Sequence, residues 1–282
     1  LIDMYAKCGA LAKAQEVLEN LHIRDKVSWS ALIAGYVQEA QGHEALHCFR
    51  RMRREGFYPD WVTLVCVLKA CVCARTIRIG KQIHEEIVNR GFLEKNVMLG
   101  NVLVDMYAKR GVLAVARQVL EELPLRDVVS WNSLIAGYAQ HEQGQDALTC
   151  FEQMQIEGIS PDMYTFSILI HSLGKAKKLD GAKALFEKII GKPGSVNMVI
   201  YTTMITALSK AGEVDEALDY FEKMMTAGHS PNAVSYTAII SSLANARRLE
   251  EAYALFQAMD TTGCPPNLVT YKVLTRAFAE VG

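Results

Sequence analysis

The chain repeats itself at a spacing of 35 residues, and this repeat limits what it can fold into. Two aromatic positions recur at that spacing: Tyr201, Tyr236 and Tyr271 in one, and Phe151, Phe186, Phe221 and Phe256 in the other. A fixed period of this size predicts supersecondary units stacked one on another, because each unit buries its apolar face only against its neighbours.

One repeat, residues 233–267, shows the internal design. Its first half has apolar residues at i, i+3, i+4 and i+7, which predicts an amphipathic helix, here called helix A: Tyr236, Ile239, Ile240 and Leu243. A second helical pattern, helix B, follows with Leu249, Ala252, Phe256 and Met259. Gly263 and the prolines after it predict its end. Each repeat is therefore expected to be a helical hairpin, and the fold class is all-α.

The repeat divides the whole chain into one array without a domain boundary. We assign a partial repeat 1–25, the full repeats 26–60, 61–96, 97–127, 128–162, 163–197, 198–232 and 233–267, and a partial repeat 268–282. The N-terminal half alternates long, longer and short repeats, whereas the C-terminal half is uniform. The junction 191–197 (GKPGSVN) has its proline displaced, so we expect a looser turn there.

Composition excludes several classes of protein. The net charge of −1 gives no strong field toward nucleic acid or membrane, and the longest apolar run, residues 61–68, is too short to span a bilayer. The seven cysteines form no CxxC pair, which favours a reducing compartment. His43 and His47 have zinc-like spacing beside Cys48, but further ligands are missing, so we expect neither a metal nor another cofactor. No nucleophile–base pattern or deaminase signature indicates an enzyme.

Helix A has a second patterned face. If the aromatic residue of helix A is position 4, the core residues occupy positions 4, 7, 8 and 11, and positions 2, 5, 9 and 13 point away from them. Position 2 is mostly aliphatic: Val27, Val62, Met98, Val129, Tyr164, Val199, Val234 and Val269. Position 5 is usually small and polar, and position 13 is often lysine, as in Lys109, Lys175 and Lys210. Such a row suits unpaired bases, with lysines along a phosphate backbone.

The last residue of every repeat is Asp or Asn. These residues are Asp25, Asp60, Asn96, Asp127, Asp162, Asn197, Asn232 and Asn267. Both types cap the N-terminus of a following helix well. Ser and Thr cap as well but never occur here, so we expect a second role besides capping.

These features resemble the pentatricopeptide repeat family along the whole chain. The 35-residue hairpin, the helix A strings VSYTAIISSL and VIYTTMITAL, and the Phe-x-x-Met of helix B carry the resemblance. The N-terminal half is similar to the P, L and S variants of the family, and the C-terminal half to the P type. The resemblance implies an α-solenoid forming a right-handed superhelix around single-stranded RNA, with one base per repeat. It also implies that position 5 and the last residue select the base, and that position 2 residues of adjacent repeats sandwich it.

The family rule then implies a target. Ser30 with Asp60 implies G, and Val65 with Asn96 is permissive. The pairs that imply U are Asn101 with Asp127 and Asn132 with Asp162. The pairs that imply A are Ser167 with Asn197, Thr202 with Asn232, and Thr237 with Asn267. The implied target is 5′-GNUUAAA-3′.

The resemblance further implies a role in RNA editing, processing or stabilisation in a chloroplast or mitochondrion, with editing or processing proteins as partners. Because residue 1 lies inside a helical pattern, we expect the chain to be a fragment, without its transit peptide and able to self-associate through exposed repeat ends. The alternative is a peptide-binding scaffold similar to tetratricopeptide repeats, whose period is about 34 residues.

Overall fold

The computed structural model describes residues 1–190 and 197–279 and is all-α over these ranges. A short 3-10 helix, Leu93–Lys95, precedes α7. The α-helices are α1 (Ile2–Lys7), α2 (Leu11–Asn20), α3 (Lys26–Gln38), α4 (Gly42–Arg54), α5 (Trp61–Cys73), α6 (Ile77–Asn89), α7 (Val97–Lys109), α8 (Leu113–Glu122), α9 (Val128–Gln140), α10 (Gly144–Ile156), α11 (Met163–Lys175), α12 (Leu179–Ile190), α13 (Met198–Ala211), α14 (Val214–Thr226), α15 (Ala233–Asn245), α16 (Leu249–Thr261) and α17 (Leu268–Ala279).

Odd-numbered helices are the A helices and even-numbered helices are the B helices. From α3 to α17, every A helix begins at the first residue of a repeat assigned from the sequence. The junction 191–196, where we expect a looser turn, lies outside the described residues. None of the helices in the described ranges has the length and apolar character needed to cross a membrane.

The chain divides into two compact units, Leu1–Tyr138 and Ala139–Gly282. In the first unit, α1, α3, α5 and α7 contact one another in succession, and each A helix also packs on its own B helix. In the second unit, α11, α13, α15 and α17 form the same kind of succession, with α10, α12, α14 and α16 each contacting the next A helix. Each unit is thus a layer of A helices backed by B helices.

Small residues let neighbouring A helices approach closely. A Cβ added to Gly35 would lie 2.6 Å from the Cβ of Ala6, and one added to Gly174 would lie 2.5 Å from the Cβ of Ala207. Real side chains do not tolerate such contacts. Glycine at these points therefore sets the spacing of the A layer.

The core of each hairpin follows the helix A stripe. Tyr236, Ile239, Ile240 and Leu243 are all at most 2% exposed. In the second unit, the Phe of each B helix packs edge-to-face on the aromatic residue of the next A helix, and the ring centroids of Phe221 and Tyr236 are 5.1 Å apart. The recurring aromatic residues are thus the contacts by which one hairpin stacks on the next.

Candidate nucleic-acid interface

Position 2 is exposed in every repeat. The exposed fraction of its eight side chains runs from 45% at Val62 to 65% at Val27, and Tyr164 is 60% exposed. Exposed apolar side chains repeated once per hairpin are unusual for a solvated helix face. The structure leaves these side chains free to contact a ligand.

The last residue of each repeat caps the following A helix. Asn232 Oδ1 accepts hydrogen bonds from the backbone N–H groups of Val234 and Ser235, at 3.0 and 2.9 Å. Asp60 Oδ1 accepts from the backbone N–H of Thr63 at 2.9 Å. Burial raises the pKa of Asp60, but the Thr63 hydrogen bonds together with the charge of Lys26 outweigh this effect, so the pKa lies below its ordinary value.

Capping engages only one atom of these side chains. At Asn197, Asn232 and Asn267 the bonds are accepted by Oδ1, and Nδ2 donates no hydrogen bond within the described residues. At Asp60 the cap also uses Oδ1 alone. An amide N–H₂ donor or a second carboxylate oxygen therefore remains available.

In three repeats, position 5 and the last residue of the same repeat lie together, although 26 or more residues separate them in the sequence. Asn101 Nδ2 donates directly to Asp127 Oδ1 and Oδ2, at 3.0 and 3.2 Å. A threonine at position 3 of the next helix bridges two other pairs. Thr63 Oγ1 lies 2.6 Å from Ser30 Oγ and donates to Asp60 Oδ1 at 2.8 Å.

The second bridged pair lies in the C-terminal unit. Thr270 Oγ1 lies 3.0 Å from Thr237 Oγ1 and donates to Asn267 Oδ1 at 3.2 Å. Position 3 is not among the site residues predicted from the sequence, although the sequence carries a signal there. Ser or Thr occupies this position in six repeats: Ser28, Thr63, Ser130, Thr165, Ser235 and Thr270. Ser or Thr three residues after an Asp or Asn cap is typical of reciprocal capping.

The side chains at position 5 are more buried than side chains on a solvent-exposed helix face. Val65 is 7% exposed, Asn101 7%, Asn132 4% and Thr202 9%, whereas Ser30, Ser167 and Thr237 are half-buried. Where the next A helix lies in the same unit, position 5 packs against its N-terminus, as the contacts of Ser30 with Thr63 and of Asn101 with Asp127 show. Asn101 Oδ1 and Thr202 Oγ1 are buried without a hydrogen-bond partner among the described residues. Such unpaired groups are rare in proteins.

A groove in the C-terminal unit brings the predicted elements together. It encloses about 570 Å³ between α13, α15 and α17. Its lining includes the position 2 residues Val234 and Val269, the pair Thr237 and Asn267, and Lys210. One groove thus holds two apolar position 2 residues, a pair that the sequence predicts to select a base, and a cation.

The three lysines at position 13 differ in their surroundings. Lys109 forms an ion pair with Asp105 at 2.9 Å. Neither Lys175 nor Lys210 has an ion pair within the described residues, and both are exposed. Burial, together with the charges of Lys210 and Lys175, lowers the pKa of His171. The face of α11 and α13 that carries His171, Lys175 and Lys210 is therefore locally positive, although the net charge of the chain is −1.

Comparisons with known proteins agree with this architecture. A family model described as "PPR repeat family" matches residues 24–73, 126–175, 196–245 and 231–280, and a "PPR repeat" model matches 164–193. A pentatricopeptide repeat-containing protein of Arabidopsis thaliana is 44% identical over 171 residues, which cover 60% of this chain and 23% of the relative.

Two further Arabidopsis thaliana relatives are named for organelles. One, named chloroplastic, is 35% identical over 64% of this chain and 29% of its own length. A putative one, named mitochondrial, is 39% identical over 65% of this chain and 29% of its own length. The chain thus spans less than a third of these relatives.

A solved structure shares the fold over nearly the whole chain. It is the pentatricopeptide repeat protein PPR10 in complex with an 18-nt psaJ RNA element, with a TM-score of 0.80 and 21% identity over 99% of this chain and 42% of that one. At this identity the likeness shows the fold, which is that of a helical-repeat solenoid.

Proposed function

This chain belongs to the pentatricopeptide repeat family, and from that premise we propose that it binds single-stranded RNA by sequence, one base per repeat. The groove between α13, α15 and α17 is the observation that carries the proposal. Val234 and Val269 stand at its two sides, and Thr237 and Asn267 lie beside them. An unpaired base has two flat apolar faces and one polar edge, which suits these residues.

Base selection is carried by the side-chain atoms of the last residue that take no part in capping, Nδ2 of Asn and Oδ2 of Asp. Asn267 caps with Oδ1, so its Nδ2 can donate to the ring nitrogen of adenine, which is an acceptor. Asp60 caps with Oδ1, so its Oδ2 can accept from the ring N–H of guanine. Asn and Asp in the same place thus offer opposite hydrogen-bonding groups.

Position 5 sets the size of the base. Asn101 reaches Asp127 directly and leaves little space, which suits a pyrimidine. At Thr237 the shorter side chain reaches Asn267 only through a bridging hydroxyl, which leaves space for a purine. With these rules the chain reads 5′-GNUUAAA-3′ from its N-terminal to its C-terminal repeat.

Phosphate contact is proposed for the position 13 lysines. Lys175 and Lys210 have no competing ion pair in the described part of the chain, whereas Lys109 shares its charge with Asp105. We therefore assign the main backbone contacts to the C-terminal unit. Each contacted phosphate releases a counterion, which makes binding depend on salt.

The decisive experiment is a titration of the purified chain with two labelled oligomers, 5′-GCUUAAA-3′ and 5′-GCUUUUU-3′, followed by fluorescence anisotropy. Three A-selecting repeats predict at least tenfold tighter binding of the first oligomer, since each stacked and read base contributes on the order of 1–3 kcal/mol. Equal binding of both would refute base selection. Binding of a peptide library with no RNA binding would instead favour a scaffold.

The wider role extends the same proposal. Relatives named chloroplastic and mitochondrial support an organellar location for the protein. We propose that RNA-editing or processing proteins take part with this chain in editing, processing or stabilisation of the transcript. Affinity purification from organelles, with RNase-treated samples as the control, would identify such partners.

A further inference from the structure

The groove also carries hydroxyl groups that base selection does not use. Thr206 and Ser209 of α13 and Ser241 and Ser242 of α15 line it. Ser242 is only 3% exposed, and its Oγ has no hydrogen-bond partner among the described residues. Ser209 Oγ is likewise buried and unpaired. Buried hydroxyls normally find a partner, so a cluster of unpaired ones in a groove indicates a ligand.

The position of these hydroxyls along helix A indicates which part of a nucleotide they face. Thr206 and Ser241 occupy position 9, which lies ~6 Å beyond position 5 and ~6 Å before position 13 along the helix axis. In a nucleotide the sugar joins the base to the phosphate. A base edge at Thr237 and a phosphate near Lys210 therefore place the ribose at position 9.

The hydrogen-bonding capacity of position 9 matches a ribose hydroxyl. Thr206 Oγ1 donates its proton to the backbone oxygen of Thr202 at 2.7 Å, so it offers a ligand only an acceptor. Ser241 Oγ makes no hydrogen bond within the described residues, so it can donate. The 2′-hydroxyl of RNA is both donor and acceptor and can satisfy both side chains at once.

We propose that Thr206, Ser241 and Ser242 form a subsite for the ribose 2′-hydroxyl of the adenylate bound at repeat 233–267. This subsite makes binding at that repeat selective for RNA over DNA. The inference rests on the proposed function, because it takes the base site as given. It is local, since position 9 of the full repeats N-terminal to residue 163 carries other residue types: Ala34, Lys69, Asp105 and Ala136.

The test uses three oligomers of sequence 5′-GCUUAAA-3′ with the intact chain. One is all-ribose, one has 2′-deoxyadenosine at the seventh nucleotide, and one has 2′-deoxyuridine at the fourth, opposite Ala136. We expect deoxy substitution at the seventh position to weaken binding about three- to tenfold, as for the loss of one or two hydrogen bonds. Substitution at the fourth position should leave the affinity unchanged.

Two variants identify the protein groups. Ser241→Ala and Thr206→Val should bind the all-ribose oligomer as weakly as the seventh-position deoxy oligomer, and should no longer distinguish the two. Thr203→Val is the matched control, because Thr203 lies on the same helix and bonds to Val199 O but does not line the groove. Circular dichroism melting checks that each variant is folded.

The outcomes separate the subsite from the proposed function. Equal loss from deoxy substitution at the fourth and seventh nucleotides would overturn the subsite while RNA binding stands. A variant that weakens ribose and deoxy oligomers by the same factor would also overturn it, because the hydroxyls then contact phosphate. If the all-ribose oligomer does not bind at all, the proposed function fails first, and the subsite with it.

Discussion

Replacing Asn232 tests whether the last residue of a repeat does more than cap a helix. Its Oδ1 accepts from the backbone N–H groups of Val234 and Ser235, while its Nδ2 makes no hydrogen bond in the described structure. Asn232→Asp keeps the capping oxygen and replaces only the donor. Asn232→Ala removes both. The two substitutions therefore separate capping from base reading.

The expected effects on stability follow from the cap. Asn232→Ala should lower the free energy of unfolding by about 1 kcal/mol, because two N–H groups at the start of α15 lose their acceptor. Asn232→Asp should leave it within a few tenths of a kcal/mol, because Asp caps as well and its charge is favourable at a helix N-terminus. Chemical denaturation measures both.

Binding is expected to respond strongly to Asn232→Asp, the substitution that leaves stability almost unchanged. Asn232 serves the sixth nucleotide, where Asp would place a carboxylate against the acceptor nitrogen of adenine. An unsatisfied pair of acceptors costs about 1–3 kcal/mol, which corresponds to roughly five- to hundredfold weaker binding of an oligomer with A at that position. The measurement compares anisotropy titrations of two oligomers that differ only in having A or U at the sixth nucleotide. This comparison removes the general effect of the added charge, because both oligomers experience it.

A double variant tests the converse, a gained preference for U at the sixth nucleotide. Thr202→Asn with Asn232→Asp creates the pair found at Asn101 and Asp127, where Asn fits at 7% exposure and donates to the carboxylate. The double variant should prefer U at the sixth nucleotide. If the stable Asn232→Asp protein binds A as well as the original does, the last residue only caps, and the reasoning from its free amide is refuted.

Three further predictions concern the backbone contacts, the packing and the caps. Lys210→Gln should reduce the slope of log Kd against log salt by about 0.7. Lys109→Gln should reduce it by less, because Lys109 is already paired with Asp105. Equal changes would contradict the assignment of the main phosphate contacts to the C-terminal unit. Gly174→Ala should lower the unfolding free energy by about 1–3 kcal/mol, because its Cβ meets Ala207 at 2.5 Å; a stabilised protein would show that the A layer can relax. Cap hydrogen bonds lower the pKa of Asp60 against the effect of burial, so its contribution to stability is present above about pH 4 and is lost as pH falls through that lowered pKa. Asp60→Asn should reduce this loss in denaturation curves between pH 5 and 2; an unchanged pH dependence would exclude the cap as its source.

The sequence by itself determined the local architecture. The 35-residue period gave the hairpins, and the Asp or Asn at the end of each repeat gave the first residue of each A helix from α3 onward. The apolar spacing gave both the buried stripe, as at Ile239, and the exposed position 2, as at Val234. These features depend on contacts between residues three or four positions apart, and the geometry of a single helix sets those contacts whatever helices pack against it.

The tertiary structure decided how the residues proposed to select the base meet and how deeply they are buried. Thr63 bridges Ser30 to Asp60 across two helices, and no pattern within one helix indicates that bridge. Asn101 is nearly buried because the next A helix packs over position 5. Such contacts depend on the spacing between helices, which is set by close packing at residues such as Gly174 and not by the period of the sequence.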